Sequence, residues 1–157
     1  MNERLFRLAQ RVSNELNELE QVVGRIQQGW YRTQQSGDDL YLDGVALNLH
    51  GFYSGLERIF ERIATTIDES LPQGANWHQV LLKQMETEIS HVRPAVISEA
   101  TCKALDGYRG FRHIVRNIYT FRFDVTKMQK LLEEVPLVFA QVRAELLAFA
   151  AFLETSV

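Results

Sequence analysis

Apolar residues recur every three or four positions along most of this chain, a spacing that only helices can bury on one side. Leu5, Leu8, Val12, Leu16, Leu19, Val23, Ile26 and Trp30 form one stripe of a long amphipathic helix. The polar segment Ser36-Gly37-Asp38-Asp39 is expected to stop it. A second stripe runs through Val45, Leu49, Phe52, Leu56, Ile59 or Phe60, and Ile63, and Leu71-Pro72-Gln73-Gly74 breaks that helix. A short helix from Trp77 to Met85 follows, with Asn76 as its expected cap. Beyond Arg93-Pro94 a further helix is expected from about Ser98 to Phe121. Asp124 then caps a last helix in which Pro136 is the expected site of a kink. Strand-like alternation is absent from the sequence. Four long helices and one short one predict an all-α, up-and-down bundle, as one domain over residues 1–157.

A chain of 157 residues buries a sizeable core without covalent staples, and its single cysteine, Cys102, fits a reducing compartment. Arg4, Arg7 and Arg11 interrupt every apolar run near the start, unlike a secretory leader. The longest uninterrupted apolar run, Leu146 to Leu153, falls well below the ~20 residues that span a bilayer. A cytoplasmic protein with no membrane partner is expected. Glu88-Ile-Ser-His91 is the one Glu-x-x-His spacing, whereas a di-iron bundle needs two, so no metal or other cofactor is expected. Cys102 and His113 lie about three helical turns apart, too far for a nucleophile and its base.

The chemistry concentrates in Tyr108-Arg-Gly-Phe-Arg-His-Ile-Val-Arg-Asn-Ile-Tyr-Thr-Phe121. At ~100° per residue, Phe111, Ile114, Val115, Ile118 and Phe121 fall on one side of a helix. Arg112, His113, Arg116, Asn117 and Tyr119 share the opposite arc, with Arg112, Arg116 and Tyr119 at i, i+4 and i+7. Such an array suits a phosphate. Most polar helix faces are simply solvated, but the charge distribution argues otherwise here. Lys103, Arg109, Arg112, Arg116, Arg122, Lys127 and Lys130 meet only Asp106 and Asp124, in a chain of net charge −3. A basic island in an acidic molecule points to a local anionic partner, with Arg109, His113, Arg116 and Arg122 as candidate phosphate contacts. On the second helix His50, Tyr53 and Glu57 lie beside the apolar stripe. They are either hydrogen-bonded bundle residues or a supporting shell for the basic helix. His78, at the start of the short helix, reads as structural or exposed.

The Tyr108–Phe121 segment resembles the signature of HEPN-domain toxins of the HepT type: arginine, a polar residue, three further positions, histidine, any residue, tyrosine. Arg112 takes the arginine place, His113 the polar one and Tyr119 the tyrosine, while Asn117 stands where the family has its histidine. Leu49-His-Gly-Phe-Tyr-Ser-Gly-Leu-Glu-Arg-Ile-Phe60, Asn76-Trp-His-Gln-Val-Leu-Leu-Lys-Gln-Met85 and Arg93-Pro-Ala-Val-Ile-Ser98 extend the likeness over most of residues 40–125. The resemblance implies a metal-independent ribonuclease that works as a homodimer and lines a shared RNA cleft with Arg112, position 117 and Tyr119. It also implies a nucleotidyltransferase antitoxin of the MNT type, which transfers AMP from ATP to Tyr119. Asparagine has no proton to exchange near neutral pH, so this chain is expected to be an attenuated nuclease. A silent HEPN interaction module that binds a nucleotidyltransferase is the main alternative, and an unrelated helical adaptor a further one.

Overall fold

The computed structural model describes residues 2–117, 119 and 124–155, with only the backbone for Arg116 and Asn117. Among the described residues there are five α-helices: α1 (Glu3–Ser36), α2 (Tyr41–Ile63), α3 (Trp77–Glu86), α4 (Glu99–Asn117) and α5 (Val125–Thr155). An all-α bundle is thus what the sequence periodicity specifies. The isolated bridge between Ile89 and Arg93 is the sole β-type pairing among the described residues.

α1 buries the predicted stripe, including Leu8, Val12, Leu16, Leu19, Val23 and Ile26, and ends where Gly37 adopts φ 69. Only a residue without Cβ takes that left-handed conformation at no steric cost, so the glycine fixes the stop. α2 folds back along α1 and buries Val45, Leu49, Phe52, Leu56, Ile59, Phe60 and Ile63. The two helices approach so closely that a Cβ on Gly55 would meet Leu19 Cδ2 at 2.6 Å. Gly24 sits on the solvent side of α1, where a Cβ would meet nothing within 4 Å. The two glycines therefore separate propensity from packing. Gly24→Ala is expected to stabilise by about 0.5–1 kcal/mol through helix propensity. Gly55→Ala is expected to destabilise by about 1–2 kcal/mol, because overpacking against buried Leu19 outweighs the same gain. Thermal melts should show opposite shifts; equal shifts would contradict the close crossing.

α2 continues beyond Ile63 as one π-turn, Ala64–Asp68, and stops at Glu69 with φ 53, ahead of the Leu71-Pro72 break that the sequence indicated. This extension delivers Asp68 to α3 and the loop behind it. The Arg93 guanidinium grips Asp68 through both carboxylate oxygens, at 2.6 and 2.7 Å. It also donates to the carbonyls of Thr87, Pro94 and Gln84 at 2.9, 3.0 and 3.1 Å. Gln84 Nε2 completes the knot with a 2.8 Å bond to Asp68. Arg93 is 3% exposed, so this fork clamps α3 against the end of α2 from inside the protein.

Asn76 does not cap α3. It has φ −105 and ψ 20, not the extended conformation a side-chain cap needs, and makes no side-chain cap bond. Backbone carbonyls close the turn instead, with Gln79 N and Val80 N donating to Asn76 O. α4 starts from Ser98, whose Oγ accepts from Thr101 N at 3.2 Å. Glu145 of α5 holds that corner through Ser98 N at 2.7 Å and Thr101 Oγ1 at 2.8 Å. The expected helix through Tyr119 to Phe121 is shorter. α4 is described to Asn117 and Tyr119 has no regular structure, while Ile118 and Phe121 lie outside the described residues. Asp124 caps α5 as expected, its Oδ1 accepting from Thr126 N at 3.0 Å.

α5 carries Pro136 inside its length, and by length and composition it passes as a membrane-crossing helix, contrary to the short-run argument. In this fold Leu132, Val135, Val138, Phe139, Val142, Leu146 and Leu153 are buried in the common core. One apolar helix is what a bundle needs to close, and Phe139 stacks edge-on to Phe52 at 6.1 Å.

Candidate functional site

A cavity of about 490 Å³ opens beside α4, lined by Ala75, Asn76, His78, Gln79, Arg109, Arg112 and His113. Its charge comes from the basic motif, and two of its lining residues, His78 and Arg112, reach back to Glu57 of α2. Glu57 is 3% exposed there and its two oxygens face two different helices. Oε2 accepts from His78 Nδ1 of α3 at 2.7 Å. Oε1 lies 3.9 Å from Arg112 Nη1 of α4. Arg112 Nε donates to Ser54 Oγ at 3.0 Å, one turn before Glu57 on the same face of α2.

This arrangement follows from burial. A carboxylate taken out of water must be paired or hydrogen-bonded, and Glu57 satisfies the requirement with a histidine and an arginine at once. The His78 imidazole and the Arg112 guanidinium are thereby fixed at the lip of a solvent-open cavity. Trp77 stacks against the His78 ring with centroids 3.7 Å apart, restricting its rotation. Arg109 is held by Asp106 at 2.7 Å. Neighbouring groups respond to the same carboxylate. Burial and then the Glu57 charge push the Tyr53 hydroxyl far above its ordinary pKa, so it stays protonated. Burial and then Glu57 likewise raise the Glu61 carboxyl.

The expected site residues distribute unevenly over this geometry. Arg112, His113 and Arg109 line the cavity together. Of the three second-helix residues, Glu57 faces Arg112 at 3.9 Å, whereas Tyr53 is buried in the core and His50 is half-buried on α2. The motif faces are less clean than the helical wheel indicated. Ile114, placed on the core side, is 41% exposed, and Arg112, placed on the opposite arc, is half-buried against α2. The cause is the crossing of α4 over α2, which draws Arg112 inward to the buried acid. Asn117 is the last described residue of α4, its side chain and that of Arg116 lie outside the description, and Arg122 lies outside the described residues altogether. Tyr119 is 73% exposed and has no regular structure. Cys102 is half-buried, with its thiol pushed up to about 11 by burial and by a hydrogen bond to Glu86. That removes it as a nucleophile near neutral pH.

Ala75 and Gln79 line the cavity without having been singled out in the sequence, and His78, whose sequence reading is structural or exposed, shares Glu57 with Arg112. Its only sequence signal was membership of the Asn76-Trp-His segment, because its partner lies 21 residues away on another helix.

No curated protein and no solved structure matches the chain. A family model described as HepT-like protein matches residues 44–153, which include every residue lining the cavity and the Glu57 beneath it. Over most of its length, and over all of the site, this chain belongs to the HepT-like family of HEPN-domain proteins.

Proposed function

We propose that this chain is the toxin component of a toxin–antitoxin pair, a metal-independent ribonuclease attenuated by Asn117. The observation that carries this reading is the placement of Arg112. A guanidinium fixed by Ser54 and a buried carboxylate, at the wall of a cavity shared with Arg109 and His113, is a preorganised site for a phosphodiester. Two protomers pair so that Arg112, Asn117 and Tyr119 of each border a common RNA groove, with Arg116 and Arg122 adding to its positive field. The protein works in the cytoplasm, where RNA and the antitoxin are. A silent module that binds a nucleotidyltransferase without cutting RNA is favoured by one residue alone, Asn117.

Regulation on this reading goes through Tyr119. The antitoxin directs its hydroxyl at the α-phosphate of ATP; the O–P bond forms, pyrophosphate leaves and the phenolic proton is lost to solvent. The AMP phosphate then brings a negative charge next to the basic motif and occupies the space of the substrate. The exposed position of Tyr119 suits attack by a second protein. Intact-mass analysis after incubation with the nucleotidyltransferase and ATP should show steps of one adenylate, absent in Tyr119→Phe. Adenylylation that persists in that variant would remove Tyr119 from the reading. Direct support for the nuclease itself is RNA cleavage in EDTA that disappears in Arg112→Ala.

A further inference from the structure

We infer that His78 is the catalytic proton-transfer group of this pocket, supplied by α3 rather than by the motif helix. The inference rests on the ribonuclease reading above. A carboxylate only accepts hydrogen bonds, so the 2.7 Å contact with Glu57 Oε2 places the proton of the neutral ring on Nδ1. Nε2 then carries the lone pair, on a residue that lines the cavity. Glu57 is buried, so it also compensates the charge that His78 gains when it accepts a proton, and the stacked Trp77 keeps the ring in plane. Arg112 faces the other oxygen of the same carboxylate. Base and phosphate-binding cation are therefore set at a fixed spacing by one side chain, whatever residue occupies position 117.

A purely structural role for the pair is the competing explanation. Attachment of α3 to α2 is already supplied by the fully buried Arg93–Asp68 clamp, however, and a staple has no need of a place on a cavity wall. The chemistry closes without further reactants. The ribose 2′-oxygen attacks phosphorus as its proton passes to His78 Nε2, the O2′–P bond forms and the P–O5′ bond breaks. The 5′-oxygen takes a proton from water, and the imidazolium returns its proton to solvent. The products are a 2′,3′-cyclic phosphate and a 5′-hydroxyl.

The test uses the full chain, a fluorescent single-stranded RNA and excess EDTA, with four proteins: unchanged, His78→Gln, His78→Ala and Asn117→His. Slow cleavage by the unchanged chain is expected, falling by roughly 10²-fold or more in His78→Gln while RNA binding persists. Added imidazole should restore part of the rate to His78→Ala, whose cavity admits it, and none to His78→Gln. A structural staple would not respond to imidazole. Equal cleavage by the unchanged chain and His78→Gln overturns the inference, as does a folded His78→Ala that imidazole does not rescue. Cleavage by Asn117→His with none by the unchanged chain overturns the role of His78 and leaves the ribonuclease reading intact. Silence of all four proteins overturns both.

Discussion

Asp68→Ala is expected to lower the stability of this protein by about 3–5 kcal/mol, the usual cost of leaving one partner of a buried ion pair without its counter-charge. The Asp68 and Arg93 side chains are 1% and 0% exposed, so water cannot compensate for the lost acid. Arg93 would keep three carbonyl partners, those of Thr87, Gln84 and Pro94, but no negative charge. Against a total of about 5–15 kcal/mol for an ordinary domain, that loss is large. Arg93→Met should cost at least as much, because it leaves the buried Asp68 carboxylate without its counter-charge and three carbonyls without their donor. Denaturant titration of both variants measures this, and a loss below about 1 kcal/mol in Asp68→Ala would show that the clamp is not what holds α3. Because α3 also carries His78, the destabilised protein should loosen the cavity as well as the fold.

The helices were legible in the sequence because their determinants are local. Stripes at three- and four-residue spacing in α1 and α2, Gly37 at the end of α1 and the Asp124 cap of α5 are all decided within a few residues. What failed was whatever depends on how helices cross. The wheel put Ile114 inside and Arg112 outside, but the buried Glu57 draws Arg112 inward and Ile114 is left facing solvent. Asn76 had the composition of a cap but not the backbone conformation, which the turn from Gly74 dictates. His78–Glu57 and Arg93–Asp68 join residues 21 and 25 positions apart on different elements, so neither leaves a periodic trace. The candidate site was half legible for the same reason. The motif arginine and the family likeness are written along one helix, whereas the acid that fixes the arginine and the histidine that shares it meet only in the fold.

Asn117→His is expected to raise RNA cleavage by about 10²–10⁴-fold, the range a positioned general acid or base contributes. Asparagine holds a hydrogen bond but cannot trade a proton, whereas histidine titrates near neutrality and does both. On the proposed reading the gain should appear in kcat more than in KM, since an amide and an imidazole can both hydrogen-bond a phosphate but only the imidazole changes its protonation in the transition state. Asn117→Gln serves as the control, keeping an amide and therefore the low rate.

Cleavage of a labelled RNA in excess EDTA by Asn117→His, with and without Arg112→Ala, tests the central claim most directly. The account predicts products ending in 2′,3′-cyclic phosphate from Asn117→His, and loss of at least ~10²-fold of that rate when Arg112 is also removed. Cleavage that needs added metal, or that persists at full rate without Arg112, would contradict it.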